Sequence, residues 1–237
     1  MALILNIDTA TEYASLALAN GDIILSSSKN EEIRDHASWI HNAIHQLMEV
    51  AGHSLSQLDA IAVTAGPGSY TGLRVGMATA KGLCYVLNIP LITESTLKVM
   101  AFAAAKHQRH FESQGNNGKP SIGNMEQLLV PMIDARRMEV YTAVYNLQLQ
   151  EIMPAKALVL DPASFEDVNG APLVCFGSGC AKFQSIAKGD RFKFIDARSE
   201  AVWLARLAFE KFQKNEFANL AYTEPLYLKE FYSPAKK

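Results

Sequence analysis

Two aspartates stand where this sequence is best able to do chemistry. Asp8 directly follows an apolar segment at residues 3–7, and Asp134 follows a similar one at residues 130–133. A carboxylate at the end of a buried strand is well placed to bind a magnesium ion held on nucleotide phosphates. An alternating apolar segment follows each aspartate and ends at an asparagine, Asn20 or Asn146, so the two regions resemble each other.

A glycine-rich segment accompanies each aspartate. Its main-chain amides are suited to binding phosphate, particularly ahead of the long helical segment that begins near residue 71. The spacing does not fit the dinucleotide fingerprint, because Gly72 comes one residue late, and no Gly-Lys-Ser/Thr of a P-loop is present. The alternative is that the aspartates form turns and the glycines serve packing. The candidate nucleotide contacts are Asp8, Thr9, Thr11, Gly66, Gly68, Asp134, Gly177 and Gly179.

Other reactive side chains do not form a recognised catalytic pattern. His41 and His45 share one face of a helical segment, but Asn42 stands where a zinc protease has its glutamate. The cysteines are odd in number and lie in apolar surroundings, which favours reduced thiols of a cytoplasmic protein. We therefore expect no metal site and no catalytic residue in this chain.

The composition excludes several classes of protein. The chain has 22 basic and 24 acidic residues, a net charge of −2, and 49% apolar residues among its 237. It is too apolar for a disordered chain and too evenly charged to hold a polyanion by overall charge. The first residues lack the basic region of a signal peptide, and no apolar run approaches the roughly 18 residues of a membrane span. We expect a cytoplasmic protein that does not contact a membrane.

The elements that position these residues occur twice. Three strands form a meander around the turn at Asn20 and Gly21, and a helix at residues 35–51, a strand at 58–63 and a helix at 71–87 follow. A strand at 89–93 and a helix ending near Ala105 complete this half. A polar stretch at 106–127 predicts a loop, after which the pattern of the opening strands returns, and a closing helix spans 199–214.

This repetition predicts an α/β protein with a duplicated, two-lobed fold of the actin, hexokinase and Hsp70 ATPase type, in which helices flank mixed sheets. The lobes are expected at residues 1–105 and 106–237, the second including the loop near 106–127. In this fold the two aspartate-bearing hairpins face each other across a nucleotide cleft.

Several segments resemble the TsaB family, also called YeaZ. The resemblance is carried mainly by residues 59–76, which contain Ala65-Gly66-Pro67-Gly68-Ser69-Tyr70-Thr71-Gly72, and by Ala80-Lys81-Gly82-Leu83. Residues 7–11, 133–141 and 225–228 are similar too, so most of the chain is covered. The resemblance implies a noncatalytic subunit that activates the formation of N6-threonylcarbamoyladenosine at position 37 of tRNAs reading ANN codons.

The resemblance also implies partners. The catalytic paralogue, TsaD, holds a metal through a His-x-x-x-His motif, and the corresponding residues here are Ser95 and Val99, which supply no imidazole. TsaD would bind this chain directly, the ATPase TsaE and tRNA would join the complex, and the chain alone would form a homodimer. No cofactor is required, although ATP or ADP in the cleft remains open. The alternative function is an independent ATPase or small-molecule kinase of the same superfamily.

Two helical segments, 35–51 and 71–87, are the expected partner interface. Small residues spaced four apart permit close approach of helices, and apolar residues at helical spacing provide anchors. The alternative is that both helices pack only on their own sheet. The predicted interface residues are Ile40, His41, Ile44, His45, Met48, Gly72, Gly76 and Ala80.

Overall fold

The structure is a computed structural model that describes residues 1–30, 35–114, 127–168 and 170–229, with residues 107–114 as backbone alone. Its first sheet has five strands in the order β3-β2-β1-β4-β5. The first two pairings are antiparallel, and β4 and β5 run parallel to β1. The strands are β1 (Leu3–Asp8), β2 (Ala14–Asn20), β3 (Ile23–Asn30), β4 (Ala60–Thr64) and β5 (Leu91–Glu94).

The second sheet repeats this topology. Its order is β10-β9-β6-β7-β8, with β6 antiparallel to β7 and parallel to β9. Counted within each half, both sheets therefore have the order 3-2-1-4-5, which confirms the duplicated two-lobed fold and its mixed sheets. The strands are β6 (Leu128–Asp134), β7 (Glu139–Tyr145), β8 (Glu151–Val159), β9 (Leu173–Phe176) and β10 (Phe192–Ile195).

Five helices flank the two sheets in the described residues. They are α1 (His36–Val50), α2 (Tyr70–Leu87), α3 (Thr96–Gln114), α4 (Cys180–Gln184) and α5 (Ala201–Gln213). α1 and α2 cover one face of the first sheet. The side chains of Leu3, Leu5 and Ile7 on β1 lie on that face. Alternate residues of a strand face opposite ways, so Ile4 belongs to the other face, which packs on α5.

The connections exchange helices between the halves. α5 follows the second sheet in sequence, yet its Leu204 and Leu207 pack against Ile4 and Ile92 of the first sheet. α3 follows the first sheet, yet Met100 and its neighbours pack against the second sheet. The lobe boundary at residue 105 stays a prediction. α3 and α5 each cover the sheet formed by the other half of the sequence, so a single cut in the sequence does not separate the two packed units.

The expectation of a loop starting at residue 106 is wrong for its first part. α3 continues through Lys106 as far as Gln114. Residues 115–126 of that expected loop lie outside the described residues. In the part of the chain that the structure describes, no helix has both the length and the apolar character needed to cross a bilayer.

Candidate functional site

Asp8 ends β1 and is buried completely. Thr64 Oγ1 donates a hydrogen bond to its Oδ1 at 2.8 Å, and the Ala10 amide donates to the same oxygen at 3.1 Å. The hydroxyl of Ser199 donates to its other oxygen, Oδ2. Burial raises the pKa of Asp8 despite these hydrogen bonds, because desolvation disfavours the charged form. Both carboxylate oxygens accept hydrogen bonds from the chain itself, and the role of Asp8 as a nucleotide contact stays a prediction.

The glycine segment before α2 packs tightly on the β1–β2 loop. A Cβ added at Gly68 would overlap the Ala10 carbonyl oxygen, and one at Gly72 would overlap that of Thr9. The Ser69 amide donates to Ala10 O at 2.7 Å, and Thr9 Oγ1 donates to Gly72 O at 2.8 Å.

The glycine segment and the β1–β2 loop therefore approach each other more closely than side chains at Gly68 and Gly72 would allow. Gly66 has φ of +111°, and a Cβ there would lie 2.7 Å from Leu226 O of the C-terminal segment. Thr9, Gly66 and Gly68 take part in this close packing, and their role as nucleotide contacts stays a prediction. The long helix tolerates Gly76 for a related reason, because an added Cβ would overlap Thr9 Oγ1.

The corresponding residues of the second sheet are also engaged locally. Asp134 is exposed, and its Oδ1 accepts hydrogen bonds from Lys182 Nζ at 2.8 Å and from the Arg136 amide at 2.6 Å. A Cβ at Gly177 would overlap Met132 O, and one at Gly179 would contact Val140 too closely. Asp134 thus forms a surface ion pair and Gly179 a close contact, and their role as nucleotide contacts stays a prediction.

The structure brings two of the predicted residues, Thr11 and Gly177, to one cavity between the sheets. Its volume is about 250 Å³, and neither Asp8 nor Asp134 is among the described residues that line it. Arg198 is the lining cation, but its Nε donates to Asp196 at 3.2 Å and its guanidinium lies 5.3 Å from the Tyr13 ring. A positive charge already paired in this way offers little attraction to a phosphate.

The positions that correspond to the paralogue's metal ligands have structural roles. Ser95 hydrogen-bonds the phenol of Tyr145, whose pKa burial raises to about 12, and Val99 is wholly buried. The adjacent Glu94 is buried, and its Oε2 forms an ion pair with Lys211 Nζ at 3.2 Å. Among the described residues, no three His, Cys, Asp or Glu side chains are grouped in a way that holds a metal ion.

The cysteines are equally unsuited to nucleophilic chemistry. All three, Cys84, Cys175 and Cys180, are buried and unpaired. Desolvation raises the pKa of Cys84 to about 11 and that of Cys180 to about 12, so neither ionises near neutral pH.

A groove of about 500 Å³ lies on the outer side of α1 and α2. Ile44 and Met48 form its floor, at 4% and 3% exposure, and the exposed His41 and His45 stand beside them. Leu83 lines it from α2. Four of the eight predicted interface residues therefore line one concave surface.

The other four predicted interface residues do not lie on that surface. Ile40, Gly72, Gly76 and Ala80 are buried in the chain's own core. These four pack on the first sheet and the β1–β2 loop, and their role as partner contacts stays a prediction. Sequence reasoning missed Leu83, His53 and Leu55, which also line the groove.

Three large apolar side chains at the ends of these helices were missed as well. Val50, Tyr85 and Val86 are 81%, 80% and 78% exposed. The signal was present in the sequence, because these residues fall outside the buried stripe of each helix.

Comparison with known proteins places this fold in a family. The family model for TsaD, tRNA N6-adenosine threonylcarbamoyltransferase, matches residues 24–232. The TsaB protein of Escherichia coli K12 is 29% identical over 237 residues, covering 95% of this chain and 94% of the relative. TsaB of Bacillus subtilis 168 is 31% identical over 160 residues, covering 66% of this chain and 62% of that relative.

A solved structure agrees with the sequence relatives. YeaZ from Pseudomonas aeruginosa superposes with a TM-score of 0.74 at 28% identity, covering 96% of this chain and 100% of that one. The relatives share both the duplicated fold and most of the length of this chain. The chain therefore belongs to the family that the TsaD model describes and, within it, to the TsaB (YeaZ) group.

Proposed function

We propose that this chain is a noncatalytic, activating subunit in the biosynthesis of N6-threonylcarbamoyladenosine on tRNA. The observation that carries the proposal is the close packing of the glycine segment: Gly68 and Gly72 pack directly on main-chain oxygens of the β1–β2 loop. A chain that keeps the fold of the family while using its cleft residues for packing is suited to binding rather than turnover.

The subunit acts by binding a TsaD-type paralogue through the groove between α1 and α2. Its apolar floor at Ile44 and Met48 receives a partner side chain, and Leu83 adds an apolar contact from α2. Burying large apolar and aromatic residues is the main source of affinity at such an interface. When the paralogue is absent, a second copy of this chain covers the same surface, and a TsaE-type ATPase and tRNA join the complete assembly.

Reconstitution tests this function. The purified chain is mixed with a TsaD-type paralogue, a TsaE-type ATPase, tRNA, ATP and a preformed activated threonylcarbamoyl donor, and modified nucleoside is measured by mass spectrometry. We expect the product only when this chain is present. Sustained ATP hydrolysis that copurifies with the chain alone would instead establish the independent ATPase.

The interface is tested by His45→Asp. The His45 side chain lines the groove and is 82% exposed, so the substitution should leave the fold intact but place a carboxylate beside the apolar floor. We expect association with the paralogue to weaken at least about tenfold in calorimetry or light scattering. The matched control is Val159→Asp, which adds the same charge at an apolar residue 66% exposed on β8. Equal affinity of both variants would exclude this surface.

A further inference from the structure

Basic and aromatic side chains lie at the start of α2, in the C-terminal segment and at the β6–β7 turn, and together they are called the band here. The Arg74 guanidinium lies 4.7 Å from the centre of the Tyr70 ring, and that ring lies 5.3 Å from the ring of Tyr227. Both tyrosines are partly exposed, at 39% and 36%. Two residues further along, Lys229 forms an ion pair with Glu139 at the start of β7. The C-terminal segment thereby joins cations of the two halves on one surface.

The β6–β7 turn places two arginines at the end of this band. Arg136 and Arg137 are exposed and have φ of 69° and 49°, a left-handed conformation that asparagine and glycine adopt more readily. Among the described residues, neither guanidinium has an ion-pair partner at hydrogen-bonding distance. The turn therefore holds two uncompensated positive charges outward.

The band is basic although the whole chain is slightly acidic. The band contains five cations and the three carboxylates of Asp134, Glu139 and Glu224. Its local charge is therefore 5 − 3 = +2, whereas the whole chain has a net charge of −2. Lys182 and Lys229 are paired with Asp134 and Glu139, so the charge that remains belongs to the arginines and is offset in part by Glu224. The cations are Arg74, Arg136, Arg137, Lys182 and Lys229.

We infer that this band binds a looped, single-stranded segment of RNA, with phosphates at Arg136 and Arg137 and a base against the tyrosine pair. The guanidinium group matches phosphate in a bidentate manner, and aromatic side chains beside cations form the usual platform for unpaired bases. An acidic protein surface is the alternative occupant, and the measurement of paralogue binding below distinguishes it from RNA. The identification of that RNA as tRNA rests on the proposed function.

The test removes both charges and keeps the turn. Arg136→Asn combined with Arg137→Gly introduces residues that favour positive φ, so the hairpin should fold at least as well. The matched control is Lys156→Ala with Lys193→Ala, which removes two exposed cations from β8 and β10. A fluorescent anticodon stem-loop RNA is titrated with the full-length chain, and with its assembly with the paralogue, at several salt concentrations.

We expect the turn variant to bind this RNA about tenfold more weakly, and the slope of log affinity against log salt to fall by about one to two. The control should match the unaltered chain. Equal RNA affinity and slope in the turn variant would overturn the inference. Loss of paralogue binding with unchanged RNA binding would also overturn it, by assigning the turn to a protein contact.

These experiments distinguish a failure of the proposed function from a failure of the RNA-binding proposal. An assembly that forms no modified nucleoside, yet whose isolated subunit loses RNA binding in the turn variant, contradicts the proposed function and supports the RNA surface. An active assembly whose RNA affinity is unaffected by the turn variant contradicts the RNA surface alone.

Discussion

Asp8 shows at the scale of one residue how an apparent catalytic group becomes structural. Its carboxylate accepts hydrogen bonds from Thr64 on β4 and from Ser199 next to α5. It therefore joins the first sheet to the segment that enters the closing helix. The same side chain that would hold a nucleotide in a cleft here satisfies buried hydroxyl groups, and its removal affects folding before it affects binding.

Replacing Asp8 by alanine should destabilise the protein strongly. The hydroxyls of Thr64 and Ser199 would lose their acceptor in a buried site, at a cost of about 2–4 kcal/mol in the free energy of unfolding. Urea denaturation followed by circular dichroism measures this cost. A change below about 0.5 kcal/mol would show that these hydroxyls find other acceptors.

The stability of the Asp8→Asn variant relative to the unaltered chain should depend on pH. Because burial raises the folded-state pKa of Asp8, its stabilising contribution is complete below the unfolded pKa and is lost as pH rises through the folded pKa. Asparagine has no such titration, so the variant should gain relative stability as pH rises from acid towards neutral. Denaturation of both proteins at a series of pH values checks this, and the opposite trend would contradict the raised pKa.

Helix α2 shows at the element scale why its glycines differ from one another. Gly72 and Gly76 face Thr9 of the β1–β2 loop, whereas an added Cβ at the exposed Gly82 has no neighbour within 4 Å. The first two therefore permit close packing. Gly82 only reduces the helix propensity.

Alanine substitutions in α2 should accordingly have opposite effects. Gly82→Ala is expected to raise the free energy of unfolding by about 0.5–1 kcal/mol, because alanine favours the helix. Gly72→Ala is expected to lower it by about 1–3 kcal/mol, because the new methyl group overlaps the Thr9 carbonyl. Thermal and urea denaturation measure the free energy of unfolding of both variants, so two substitutions within one helix are compared directly. Similar effects of both substitutions would contradict the close approach.

Secondary-structure elements show most clearly what the sequence could predict and what it could not. The turn at Gly21 and the apolar spacing of Ile40, Ile44 and Leu47 correctly predicted a hairpin and a helix. The same spacing did not show which surface covers the stripe, and Ile40 lies buried in the core. Periodicity identifies a buried face, but it carries no information on whether the neighbour belongs to the same chain.

At the scale of the whole molecule, the sequence predicted the duplication but not the exchange of helices. The repeated aspartate and asparagine positions, Asp8 with Asn20 and Asp134 with Asn146, were enough to indicate two equivalent sheets. Nothing in the pattern of α5 distinguishes the sheet beside it in sequence from the sheet it covers. That choice depends on the path of the chain between the lobes, which local patterns do not encode.

The exchange of helices predicts a single cooperative unfolding transition. Trp39 lies on α1 and Trp203 on α5, so Trp39→Phe and Trp203→Phe each leave one fluorescent reporter. Both reporters should give the same urea midpoint, since α5 packs on the first sheet. Leu204→Ala, which opens a cavity beneath that helix, should lower both midpoints together by the equivalent of about 2–5 kcal/mol. Separate midpoints would show that the two halves unfold independently.

The position of α5 has a consequence for how the protein is made. The first sheet is complete in sequence at Glu94, but one of its faces is covered by residues 201–213. During synthesis the amino-terminal strands therefore leave the ribosome with an apolar face uncovered until nearly nine-tenths of the chain has been translated. Nascent chains of this protein should accordingly need chaperone protection for most of their elongation.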